Sequence, residues 1–179
     1  SLGLVIALAV NMLIKPYNNR AQIVKMITHF VQTFPDYLHE RVLLGHYPDL
    51  QPLQRSLKRL EDEIQLYERQ TFPHKHMRHE IGIYLRGCQQ LAERMFDELH
   101  ALCRMDTTGA PDEEAVRRLE KLGISDPDTI QAPPGERREE DIVLAYHLKN
   151  LLDAYDFLCE MNEASNADIM EDTNSMPGR

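Results

Sequence analysis

From Ile81 onward the apolar side chains recur in steps of four and three: Ile81, Leu85, Cys88, Ala92, Met95, Leu99 and Leu102. A helix turns once every 3.6 residues, so this spacing lays all seven on one face, whereas a strand would divide them between two. Such a seam must be buried against partners of similar length, and the chain supplies them. Ile23, Ile27, Phe30, Phe34 and Leu38 lie on one face of a helix expected over about Ala21 to Leu44, which Pro35 must kink or divide because it removes one backbone donor. Leu53, Leu57, Leu60, Ile64 and Tyr67 mark a helix that Asp49 is placed to cap and that reaches Arg69 or Thr71. Leu144, Leu148, Leu151, Tyr155 and Leu158 mark another, opened by Glu139, Glu140 and Asp141, whose charges suit a helix N-terminus. The spacing predicts an all-α fold, an antiparallel bundle of about four helices, because short connections force successive helices to run in opposite directions.

The breaks between these segments are legible too. Gly45 and Gly123 stand where helices stop. Between Asp106 and Asp141, eleven carboxylates face five basic residues, which predicts a long acidic connection holding one short helix from Pro111 to Leu122. After Met161 the apolar period is lost, and residues 165–179 are expected to form a flexible acidic tail.

At 179 residues the chain can bury a core without disulfides or a structural metal. Its net charge of -9 argues against a broad surface for a phosphate backbone, so nucleic acid is not an expected partner. Cys88, Cys103 and Cys159 are far apart and form no C-x-x-C pair, which fits a reducing compartment.

A different constraint comes from the first residues. Leu2 to Ile14 is apolar apart from Asn11 and is followed by Lys15, Pro16, Tyr17 and Arg20. A secretory signal has its positive charges before the apolar stretch, which is the reverse order. A core helix or the C-terminal half of a membrane span both suit the length, a full span needing about 20 residues. The basic residues just past the run, the proline stop and the interfacial tyrosine favour the second. Residues 1–16 are therefore expected to meet the lipid bilayer, and residues 17–164 to form a bundle on the cytoplasmic side.

Chemistry-bearing clusters are few. His74, His76, His79 and Glu80 gather where the third long helix starts, but Lys75 and Arg78 between them repel a divalent cation, so no metal is expected. Glu93 with Asp97, and Asp153 with Asp156, read as solvated helix faces. G-x-S-x-G, P-loop and dinucleotide signatures do not occur, and neither an enzyme nor a cofactor is expected. The one segment that combines cations with apolar walls is the start of the third long helix. Arg78, His76, His79, Tyr84 and Arg86 are its candidate ligand residues.

The stretch LGLVIALAVNMLIKPYNN, an apolar span leaving through Ile-Lys-Pro before a long helical domain, resembles the junction in the aromatic acid exporter family of bacterial inner-membrane proteins. The resemblance implies membrane spans upstream and a cytosolic helical domain of about this length, regulatory or concerned with homo-oligomeric assembly, with transport of aromatic carboxylates as the whole protein's activity. Its motif-like part is confined to these 18 residues. It also makes a small aromatic acid a ligand to consider. The alternative is a soluble helical interaction or metal-sensing module whose first helix is core.

Overall fold

The computed structural model describes residues 19–70, 75–105, 109–125 and 138–174, with the side chains of 75–78 and 172–174 outside that description. The chain is all-helical, with five helices and no strand among the described residues. These are α1 (Arg20–Val42), α2 (Gln51–Arg69), α3 (Lys75–Cys103), α4 (Glu113–Lys121) and α5 (Glu139–Asn174). The apolar run of residues 1–16 lies outside the described residues, and none of the described helices is long and apolar enough to cross a membrane.

Each long helix runs antiparallel to its neighbours. The start of α1 meets the end of α2 through Asn19 and Glu63, and Glu68 near the end of α2 meets Arg86 of α3. Glu98 of α3 meets His147 early in α5, and Arg20 of α1 meets Asp168 late in α5. The result is an up-down-up-down bundle with α1 and α3 on one diagonal.

All five α1 positions of the sequence pattern are buried, as are all five of α2 and all five of α5. On α3 Ile81 packs partly buried against the core, and the six positions from Leu85 to Leu102 are fully inside it. The filling is chiefly aliphatic, with one tilted ring pair, Phe30 and Phe34, 5.6 Å between centroids.

Pro35 does not divide α1, which continues to Val42. The expected cap at Asp49 is displaced by one residue: Leu50 holds the N-cap position of α2. The carboxylate of Asp49 still accepts from the backbone N–H of Gln51, at 3.0 Å, so the orphan donor is satisfied from one position further out. Gly45 and Gly123 sit at φ 68° and 75°, the left-handed region in which a side chain is strained, and each follows a helix end as expected.

The acidic connection leaves and re-enters the bundle at the same end. Asp141 ties it there, accepting from the backbone N–H of Ala110 at 2.8 Å and of Arg138 at 3.1 Å. Those bonds, Ala110 first, hold its carboxyl below the usual range. Gly109 is required at this crossing, since a Cβ there would stand 2.9 Å from the Glu140 carbonyl oxygen. The short helix α4 is capped by Asp112, which accepts from Ala115 N–H at 2.8 Å, and it lays Ala115 and Leu119 into the core.

The main departure concerns the C-terminal part. Residues 165–174, expected to lie in a flexible tail, continue α5 instead, and Asn162 and Ser165 are buried. The physical reason is that the buried face carries on in polar residues. Asn162 donates to Thr28 Oγ1 at 3.0 Å, and Thr28 in turn bonds the Val24 carbonyl at 2.9 Å. A hydropathy pattern does not register such a face, although Leu158, Asn162, Ser165 and Ile169 keep the helical step.

Candidate functional site

The end of the bundle at which α1 begins, α3 makes its second and third turns and α5 nears its end holds an open cavity of about 220 Å³. Its walls are Ile81, Tyr84 and Leu85 from α3, Ala164 and Ser165 from α5, and the charged side chains Arg20, Glu80 and Asp168. Asn19, buried just before α1, anchors this corner by donating its amide to the Glu63 carbonyl oxygen at 2.8 Å and to Glu63 Oε2 at 2.9 Å. Arg20 crosses to Asp168 at 3.5 Å and so joins α1 to α5 over the cavity.

Tyr84 is the element of the wall most firmly placed. Its hydroxyl donates to the Met161 carbonyl oxygen, a little past the middle of α5. Burial pushes its ionisation above the ordinary value against the opposing influence of Ser165, so the phenol is a neutral donor over the physiological range.

The five candidate ligand residues are not brought together. Tyr84 lines the cavity, whereas Arg86, two residues on and therefore about 200° round the helix, faces α2. There it makes a bidentate pair with Glu68, Nε to Oε1 at 2.7 Å and Nη2 to Oε2 at 2.9 Å, and a third bond to Gln89 at 2.7 Å. The hydrogen bonds from this guanidinium hold the Glu68 carboxyl below its usual range and raise the arginine in return. Arg86 is thus a structural tie between α2 and α3, and its assignment to a ligand site is corrected. His79 is exposed and does not line the cavity. His76 and Arg78 lie in the first turn of α3, and their side chains fall outside the described residues.

The charged wall residues that sequence reasoning missed are Arg20 and Asp168. Arg20 reads as one more basic residue after the apolar run, and Asp168 falls in what reads as tail. Only the return of α5 to the start of α1 makes them neighbours. Among the described lining residues one guanidinium stands with two carboxylates, Glu80 and Asp168, a balance that does not draw an anion. A carboxylate ligand would have to displace Asp168 from Arg20.

The remaining acidic pairs resolve into structure. Arg118 of α4 clamps Asp153 and Asp156 of α5 at 2.8 Å each, so this pair is a tertiary tie rather than a solvated face alone. Glu93 accepts from Gln89 at 2.8 Å and is exposed, as is Asp97. Among the described residues no group of three or more His, Cys, Asp or Glu side chains is arranged to hold a metal ion. Comparison with protein-family models, curated proteins and solved structures finds no match to this chain.

Proposed function

We propose that the bundle is the cytosolic assembly or regulatory domain of a bacterial inner-membrane protein that resembles the aromatic acid exporters, held at the membrane by residues 1–16. The observation that carries this reading is the anchoring of the first helical turn. Asn19 and Arg20 follow the apolar run by a few residues and are tied to α2 through Glu63 and to α5 through Asp168. Asn19 and Arg20 thus join the start of α1 to both α2 and α5. Assembly is favoured over ligand sensing, because Arg86 is taken up by Glu68 and the cavity has more carboxylates than cations among its described walls.

The test is extraction of cell membranes with alkaline carbonate, followed by labelling, measured above that of the parent chain's own thiols, of a cysteine placed at the exposed Gln54 from either side of the membrane. Retention in the pellet with labelling from the cytoplasmic side only is the expected result. Release into the carbonate wash defeats the proposal and leaves a soluble helical interaction module.

A further inference from the structure

The cavity beside Tyr84 has a one-sided hydrogen-bonding character. The Tyr84 hydroxyl commits its proton to the Met161 carbonyl, and Ser165, buried on α5, donates in turn to the tyrosine oxygen. The direction of that relay leaves the Ser165 oxygen with lone pairs alone to offer. Glu80 and Asp168 present acceptors as well. Arg20 is the single cation among the described walls, and it is drawn across to Asp168 at 3.5 Å. A ligand that complements these walls therefore brings donors and positive charge.

The rest of the wall is apolar, supplied by Ile81, Leu85, Ala164 and the ring of Tyr84. Its volume of about 220 Å³ exceeds the roughly 150 Å³ of an apolar cavity that holds benzene, which leaves room for one ring and a short arm. We infer that this cavity is a site for a small primary amine with an apolar, ring-sized body. The ammonium lies toward Glu80, Asp168 and Ser165, and the body lies against Ile81, Leu85 and Tyr84. An ammonium has three donors and no acceptor, the complement of what the polar wall offers.

The same balance discriminates between ligands. A carboxylate on the same body must part Asp168 from Arg20 and then lie against Glu80, whereas an ammonium leaves the Arg20 contact standing because one carboxylate accepts from both. Amino acids and ethanolamine lipid headgroups carry an anion a few bonds from their ammonium and meet the same repulsion, so the ligand is a simple amine and not a zwitterion. The cavity is open and the Asp168 side chain is 68% exposed, so affinity is weak, in the millimolar range. This inference goes beyond the assembly reading and does not rest on it.

The probe is phenethylamine, with hydrocinnamate as the acid of the same body. Titration of the full chain, followed through the methyl resonances of Ile81, Leu85 and Ala164, is expected to give saturable shifts with the amine and none with the acid. The double variant Glu80→Gln, Asp168→Asn, at two exposed positions, is expected to bind the amine about three- to ten-fold more weakly. Asp36→Asn with Asp97→Asn, exposed and outside the cavity wall, removes the same charge and is expected to leave binding unchanged. That control separates the site from the general attraction of cations to a chain of net charge -9. Absence of saturable shifts with the amine, or equal binding of the acid, overturns the inference. So does a cavity double variant that binds as the parent does, or a control variant weakened as much as the cavity variant. Should the cavity variant lose its helical signal, Ala164→Leu decides instead, since its larger side chain enters the cavity from an exposed position. Loss of amine binding with circular dichroism unchanged is expected, and unaltered binding overturns the proposal.

Discussion

The hydroxyl of Tyr155 on α5 lies 3.5 Å from the carbonyl oxygen of Val31 on α1, the carbonyl that Pro35 deprives of its helical donor. A proline removes the N–H that would bond four residues back, and inside a bundle the freed oxygen must find another partner or lose solvation. Here a neighbouring helix supplies it, at the long limit of a hydrogen bond. α5 thus offers a donor at the point in α1 where Pro35 removes one.

Removing that hydroxyl should destabilise the bundle without disturbing its packing. Tyr155→Phe is expected to cost about 0.5–1.5 kcal/mol in urea unfolding. In a Pro35→Ala background, where the new alanine supplies the missing N–H, the same change is expected to cost almost nothing. Equal costs in the two backgrounds would show that Tyr155 acts through packing alone.

Arg41 is buried at the other end of the bundle, where Nε donates to the Leu102 carbonyl at 2.8 Å and Nη2 to the Met105 carbonyl at 3.1 Å, with the Tyr47 ring 4.9 Å away. It fills the role of a C-terminal cap for α3, a cation against the negative end of the helix dipole. Arg41→Ala is expected to cost about 2–3 kcal/mol, two charge-assisted bonds offset in part by the release of a buried charge. Lysine replaces the planar fork that fits both carbonyls with a rotating point charge, so Arg41→Lys should recover only part of the loss in thermal unfolding.

Acid should loosen the ties between helices in a defined direction. Glu68, depressed chiefly by its hydrogen bonds from Arg86, and Asp153, depressed first by Lys149 and then by Arg118, have folded ionisations below their ordinary values of 4.5 and 3.8. A depressed carboxylate contributes stability that is fully present above its unfolded pKa and is lost as the pH falls through the folded one. The urea midpoint is therefore expected to fall on acidification below about pH 5, and Glu68→Gln to flatten that decline. An unchanged slope in the variant would remove Glu68 from the acid response.

The three thiols should differ sharply in reactivity. Burial pushes Cys88 up to about 12, while Cys103 and Cys159 are half-buried and shifted upward less completely. At pH 8 the thiolate fraction of Cys88 is about one part in ten thousand, and its sulfur is shielded by α3's neighbours as well. Alkylation at that pH is expected to modify Cys103 and Cys159 while leaving Cys88 intact until urea unfolds the chain. Modification of Cys88 at a rate comparable to the others would mean that α3 opens locally.

The bundle was legible because its information is periodic and local. Seven positions from Ile81 to Leu102 repeat closely enough to specify a helix, its length and its buried side, and Gly45 and Gly123 mark stops through a backbone geometry that few other residues adopt. The end of α5 was not legible in the same way. Its buried face passes from Leu158 to Asn162 and Ser165, and polar residues announce burial only when their hydrogen-bond partners are known.

Tyr84 and Arg86 show where the boundary lies. Sequence alone determines that both belong to α3 and that two residues of separation turn them to different sides of it, because helical geometry depends only on spacing. Which side meets Met161 of α5 and which meets Glu68 of α2 was decided by the tertiary structure. The same holds for Arg20 and Asp168, 148 positions apart in the chain and joined over the cavity only because α5 returns antiparallel to the start of α1. Side-chain type and period govern local conformation, whereas a site is built by contacts between distant segments, and those exist only once the core has chosen how its helices pack.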